Sequence, residues 1–178
     1  MQLKGKTAII TGGGSGFGAS MADLFAKNGA KVIVADLDLD SARKVAKGTG
    51  GYALEVDVSN AKSVEQMKID IFKEHENVDI VVNNAGTTHL PAPMETIEED
   101  EFDRVFNVNC KSVYLTAKHF VPHFKENKSG VILNIASTAG VSPRPNLNWY
   151  NSSKGWMILA SKTMAVELAP FGIRVNVI

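Results

Sequence analysis

The chain is 178 residues long and 44% apolar, with 19 basic and 19 acidic side chains, so its formal net charge is zero. That balance gives no sign of a nucleic-acid or membrane-surface partner. The single cysteine, Cys110, excludes an internal disulfide and fits a reducing, cytoplasmic setting. The apolar run near the N-terminus is too short for a signal peptide, and no stretch is long enough to span a bilayer, so one soluble domain over residues 1–178 is expected.

Taken in chain order, the pattern alternates. Thr7 to Ile10 is a short β-branched run read as a buried strand. A glycine turn follows, Gly12-Gly13-Gly14-Ser15-Gly16-Phe17-Gly18, and then a helical pattern with Met21, Leu24 and Phe25 on one side. Lys31 to Ala35 is a second apolar strand ending at Asp36, which completes a βαβ unit. A helix over 38–47, a strand from Tyr52 to Val58 and an amphipathic helix over 60–75 are expected next; Val64, Met67, Ile69, Ile71 and Phe72 form that helix's apolar side. Val78 to Val82 reads as a fourth strand running into Asn83-Asn84-Ala85-Gly86. One long helix over 98–125, a fifth strand from Val131 to Ile135, a helix from Tyr150 to Ala169 and a sixth strand from Arg174 to Ile178 complete the pattern. The strands are apolar throughout instead of alternating, as in a sheet covered on both faces. The predicted fold is therefore α/β: a Rossmann-type doubly wound parallel sheet with helices on both faces.

Ligands of such sheets bind beyond the carboxyl ends of the strands. The chemically loaded residues all fall there: the glycine turn, Asp36, Asp57, Asn84, Ser137 and Tyr150. Glycines 12, 16 and 18 permit a tight turn whose N–H groups approach a pyrophosphate at a helix N-terminus, although a flexible connection is the alternative use of such a turn. Asp36 lies where an acid binds the ribose hydroxyls of NAD, and a 2′-phosphate would meet like charge there. No Arg or Lys stands at Ser15 or Leu37 to offset it, so NAD is the expected cofactor and NADP the less favoured one. Tyr150 and Lys154 are spaced i to i+4, so a helix places both on one face. A phenol beside an ammonium is an acid/base whose charged form is favoured, and Ser137 could hold the oxygen it protonates. Taken alone, the Tyr-x-x-x-Lys spacing is common.

Together, Thr11-Gly12-x-x-x-Gly16-x-Gly18, Asn83-Asn84-Ala85-Gly86, Ser137 and Tyr150-x-x-x-Lys154 resemble the short-chain dehydrogenase/reductase family from Thr7 to Ile178. The resemblance implies hydride transfer between NAD(H) and a secondary alcohol or ketone. Its nearest look is to 3-oxoacyl-carrier-protein reductase-like or sugar and alcohol dehydrogenase-like members. It implies a catalytic set of Asn109, Ser137, Tyr150 and Lys154, with Asn109 holding a water that links Lys154 to bulk. It also implies a cofactor cleft lined by Gly12, Ser15, Gly16, Phe17, Gly18, Asp36, Asp57, Val58, Asn84, Ala85 and Gly86 together with Tyr150 and Lys154, Lys154 reaching the nicotinamide ribose. A homo-oligomer, a tetramer by resemblance, is expected, with a small-molecule substrate whose pocket Trp149 and the loop Thr87 to Met94 line. A non-catalytic dinucleotide sensor or scaffold of the same fold is the alternative; a pure binder has no need of the tyrosine acid.

The family usually continues past the sixth strand, so the chain is expected to lack a C-terminal part. His119 and His123 are four apart, but Phe120 stands where a metal-binding H-E-x-x-H needs glutamate, and no metal is expected. Cys110 reads as a small buried hydrophobe.

Overall fold

The computed structural model describes residues 2–178. Six parallel strands form one sheet in the order β3-β2-β1-β4-β5-β6. They are β1 (Thr7–Thr11), β2 (Lys31–Asp36), β3 (Tyr52–Glu55), β4 (Ile80–Asn83), β5 (Gly130–Asn134) and β6 (Ile173–Val177). The helices are α1 (Gly16–Lys27), α2 (Leu39–Thr49), α3 (Ala61–Glu74), α4 (Glu99–Phe106), α5 (Ser112–Glu126) and α6 (Asn148–Leu168). The strand order runs outward in one direction from β1 and in the other from β4, so the chain reverses between those two strands and opens a crevice at their carboxyl ends.

The apolar strands feed two cores. Ile9, Ile33, Val81 and Ile132 point to one face and pack against Val64, Met67 and Ile71 of α3 and Leu115, Phe120 and Phe124 of α5. Ala8, Ile10, Val32, Val34, Ile80 and Val82 point to the other and meet Ala22 of α1 and Ala42 and Ala46 of α2. A continuous apolar run therefore serves both faces through the two-residue period. Phe120 and Phe124 are fully buried, each contributing roughly 1.5–3 kcal/mol of apolar burial. Leu24 and Ile69, expected on the packed sides of their helices, are exposed instead; small alanines let α1 and α2 approach the sheet closely. Among the described residues no helix is long and apolar enough to cross a membrane.

Most boundaries shift by a residue or two from expectation, the fourth strand beginning at Ile80 instead of Val78, and three of the differences bear on the cleft. The third strand stops at Glu55, because Asp57 turns its hydrogen bonds inward: its carboxylate accepts from Ser59 N (2.9 Å) and Ser59 Oγ (2.6 Å), and its N–H donates to Ser63 Oγ (3.0 Å). The single long helix over 98–125 is two helices, α4 and α5, joined by a π-helical turn at Asn107–Lys111. Such turns widen a helix locally and aim a side chain that regular geometry would not. The helix carrying Tyr150 begins two residues early, at Asn148, so Tyr150 sits in its first turn.

A buried polar chain ties the centre of the sheet to its helices. Thr116 donates to Asn83 Oδ1 (2.9 Å), Asn83 Nδ2 to Asn134 Oδ1 (2.7 Å), and Asn134 Nδ2 to Ser161 Oγ (2.8 Å). All four residues are at most 3% exposed, so each depends on its neighbours for satisfaction. Asn134→Ala leaves Asn83 Nδ2 and Ser161 Oγ without these partners and should lower unfolding free energy by about 2–4 kcal/mol, read as a drop in the urea midpoint at unchanged m-value. A shift below about 0.5 kcal/mol would contradict the dependence of this chain on Asn134.

Candidate active site

Side-chain bonds join the ends of β1 and β4 at the crevice. Thr11 Oγ1 accepts from the N–H groups of Asn84 and Ala85 (3.1 Å each) and donates to the Val82 carbonyl (3.3 Å). Asn84 Nδ2 donates to the carbonyls of Thr11 (2.9 Å) and Gly12 (3.0 Å). The glycine turn is thereby held against the Asn-Asn-Ala-Gly segment. Gly12, Gly13, Gly14 and Gly18 have no room for side chains: a Cβ on Gly18 would lie 2.0 Å from the Gly12 carbonyl oxygen. Gly18 is therefore a packing glycine beneath the turn. Ser15 at the N-cap of α1 forms no side-chain cap, which leaves the helix's first-turn N–H groups at the crevice for an external acceptor.

The crevice is a cleft of about 610 Å³ lined by Gly12, Ser15, Gly16, Phe17, Asp36, Asp57, Val58, Asn84, Ala85 and Gly86. Every residue expected of the cofactor cleft is there except Gly18, Tyr150 and Lys154. Leu37, Thr87, Arg104 and Val108 line it as well, and none of these four was expected in that role. Arg104 and Val108 belong to the α4 and π-turn region; a helical-period reading locates the helix but not the turn that brings these side chains to the cleft. Asp36 is half-buried at the tip of β2, where its carboxylate accepts from Gly14 N (2.8 Å) and Asp38 N (3.1 Å). The nearby α2 start adds acid: Asp38 caps it, with hydrogen bonds from Ser41 and Asp40 holding the Asp38 carboxyl below its ordinary value, and Arg43 pairs with Asp40.

Lys154 sits behind the Gly86 edge of this cleft. It is 4% exposed, and its ammonium donates to the Ile135 carbonyl just past β5 (2.8 Å). It lies 6.0 Å from the centre of the Tyr150 ring, and a Cβ on Gly86 would be 3.4 Å from both Lys154 Nζ and Asn109 Oδ1. Gly86, Asn109 and Lys154 thus converge. Ser137 opens a short 3-10 turn, Thr138–Gly140, where its Oγ accepts from Ala139 N (3.1 Å). That turn presses on α6 because Gly140 has no side chain; a Cβ there would be 2.8 Å from Gly155 N. Asn109 is fully buried and its side chain is committed: Oδ1 accepts from Thr87 N (2.8 Å), while Nδ2 donates to Thr87 O and Ser153 Oγ (2.9 Å each). Trp149 Nε1 donates to Met94 O (3.2 Å) and its ring meets Phe102 edge-on, so it braces the loop after Pro93. His123 binds Asn77 Oδ1 (2.8 Å), and Cys110 is buried with its sulfur 3.6 Å from the Ser153 carbonyl.

Burial holds the Lys154 ammonium below the usual lysine value, with Cys110 opposing; burial pushes the Cys110 thiol up to about 11, with Lys154 opposing.

The family model described as short chain dehydrogenase matches residues 6–178. The 4-formylbenzenesulfonate dehydrogenase TsaC1/TsaC2 of Comamonas testosteroni is 44% identical over 183 residues, covering all of this chain and 73% of that protein. The 3-oxoacyl-acyl-carrier-protein reductase FabG of Thermotoga maritima is 36% identical over 185 residues, covering all of this chain and 74% of its own length. Among solved structures, the NADH complex of a 3-ketoacyl-acyl-carrier-protein reductase from Brucella melitensis superposes with a TM-score of 0.96 at 47% identity, over 98% of this chain and 74% of that one.

A lysine with a depressed folded value sheds its proton in the folded state before it does in the unfolded chain. The unfolded state then binds more protons between that value and about 10.5, so stability rises with pH across that window. The Cys110 thiol works the opposite way in the same alkaline range. In a Cys110→Ala background, the stability of the Lys154 protein minus that of Lys154→Met should therefore be flat at lower pH and climb as pH approaches about 10.5. Urea unfolding at stepped pH measures it; a flat difference throughout would contradict a buried, strained charge.

Proposed function

The chain belongs to the short-chain dehydrogenase family, and on that premise we propose that it moves a hydride between NAD(H) and a secondary alcohol or ketone. The observation that carries the reading is the buried Lys154 ammonium, 6.0 Å from the centre of the Tyr150 ring and set against Gly86 of a cleft that the glycine turn and Asp36 also line. The cleft fits a dinucleotide: uncapped helix N–H groups suit a pyrophosphate, and the Asp36 carboxylate suits a diol. Bound there, NAD(H) supplies or accepts the hydride.

The chain's own residues do the rest. Tyr150 gives or takes the proton on the substrate oxygen. The Lys154 charge stabilises negative charge on the phenolic oxygen as that proton moves, and its burial makes the effect stronger than it is in water. Ser137 orients the substrate oxygen; its Oγ already accepts from Ala139 N, so the hydroxyl proton is the group left to donate. Asn109 acts as a tether for the segment after Gly86: both amide protons are spent on Thr87 and Ser153, so a water held at Asn109 would not be held by these amide protons. Asp36 selects NAD over NADP, supported by the acidic Asp38 and Asp40 close by and by the pairing of Arg43 with Asp40.

The substrate class is read as a small carbonyl or carbinol compound handled in the cytoplasm. Assembly into a homo-oligomer, a tetramer, belongs to the same reading and is supported by the exposed apolar Tyr114, Trp156 and Leu159, which line a groove of about 520 Å³ between α5 and α6.

Tyr150→Phe should reduce turnover by about 10³-fold or more while NADH affinity stays within about threefold. A panel of secondary alcohols, sugars and β-ketoesters followed at the NADH absorbance band is the assay, and retention of most activity would end the assignment. Asp36→Ala should lower the NADH to NADPH ratio of kcat/KM by at least about tenfold. An unchanged ratio would remove Asp36 from cofactor selection.

A further inference from the structure

Thr87, the first residue after Gly86, is gripped on every polar group by the α4 to π-turn segment. Asn109 takes its N–H and feeds its carbonyl. Arg104 reaches the remainder: Nη1 donates to Thr87 Oγ1, and Nη2 donates to the Thr88 carbonyl at 3.1 Å. Glu101 Oε1, 3.3 Å from Nη2, steadies the guanidinium from its own helix. Residues 86–90 lie outside every helix and strand, so these side-chain bonds stand in for ladder bonds. Thr87 and Arg104 both line the dinucleotide cleft, and Gly86 abuts Lys154.

Arg104 is 46% exposed at the cleft, yet its planar fork reaches two acceptors on adjacent loop residues. An arginine serving only its own helix would need Glu101 alone. We propose that Arg104 is a positioning residue for the dinucleotide: by gripping Thr87 and the Thr88 carbonyl it holds Thr87 as a preformed wall of the cleft next to Gly86, so binding does not have to order that loop. The inference rests on the reading of the cleft as a dinucleotide site. Preorganisation of this kind acts on affinity, because a loop left loose must lose its freedom when the ligand arrives. Asn109 keeps the backbone of Thr87 in register without Arg104, so the chemical step is largely spared.

The test is titration of the full chain with NADH, followed by fluorescence, alongside steady-state kinetics. Arg104→Ala should weaken NADH binding and raise its KM about tenfold, with kcat at saturating NADH falling less than about threefold. Arg104→Lys, which can keep one donation, should fall between wild type and Arg104→Ala. In a Thr87→Val background the Arg104→Ala effect should shrink, because part of what Arg104 holds is already gone. Wild-type affinity in Arg104→Ala, or losses that multiply independently in the double variant, would overturn the positioning role. Loss of folding in Arg104→Ala, seen by circular dichroism, transfers the decision to Arg104→Lys, where wild-type affinity overturns the proposal and an intermediate loss supports it. Failure of the wild-type chain to bind NADH in the same titration would overturn the dinucleotide reading instead, and this inference with it.

Discussion

A positive charge shut away from water organises this molecule. Lys154 has given up nearly all of its solvent contact for a single carbonyl, that of Ile135 just beyond β5. Burying an ammonium is costly unless something repays it, and here the protein offers one acceptor, a ring at 6.0 Å and a neighbouring thiol. A chain selected only for stability has better uses for that position. The arrangement makes sense where negative charge must form transiently nearby and be met by a partner that needs no reorganisation.

The rest of the fold brings that charge to the correct edge. The order in which strands are added reverses between β1 and β4, so the loops after those parallel strands part and leave a cleft. Thr11 and Asn84 then tie the parted ends together with side-chain bonds. The buried Asn83 to Asn134 contact carries the same order across to β5, and Asn134 passes it to Ser161 on α6. Helix α6, which bears Tyr150 and Lys154, is thus registered to the sheet by polar contacts as well as by packing. Loose apolar packing alone tolerates small slips; a satisfied polar chain does not.

Much of this was legible in the residues. Six apolar runs, glycine turns and acids at strand ends prescribe a parallel sheet and its ligand edge, because strand burial and turn chemistry are local. Helix breaks were less legible. Residues 98–125 keep a helical pattern throughout, and nothing in it marks the π turn that aims Asn109 and brings Val108 to the cleft. The early end of β3 depends on Asp57 turning to Ser59, two residues on, and to Ser63, a contact that exists only once α3 is in place. Arg104 escaped notice for a related reason: its meaning lies in Thr87 and Thr88, 17 and 16 residues away, and charged residues at helix ends usually serve the helix. Ser137 shows both uses of one hydroxyl, capping its turn through a lone pair while leaving its proton for another partner.

The proposed chemistry depends on where the Tyr150 acid and the Lys154 ammonium lie relative to the dinucleotide. A crystal structure of the chain with NADH tests it most directly. The account predicts the adenosine ribose on Asp36 and the nicotinamide ring at the Gly86 end, with Lys154 still buried and the Tyr150 hydroxyl facing the ring across a gap that admits one substrate oxygen. Nicotinamide seated at the Asp36 end, or a Tyr150 hydroxyl turned from the cleft with Lys154 out in water, would contradict it.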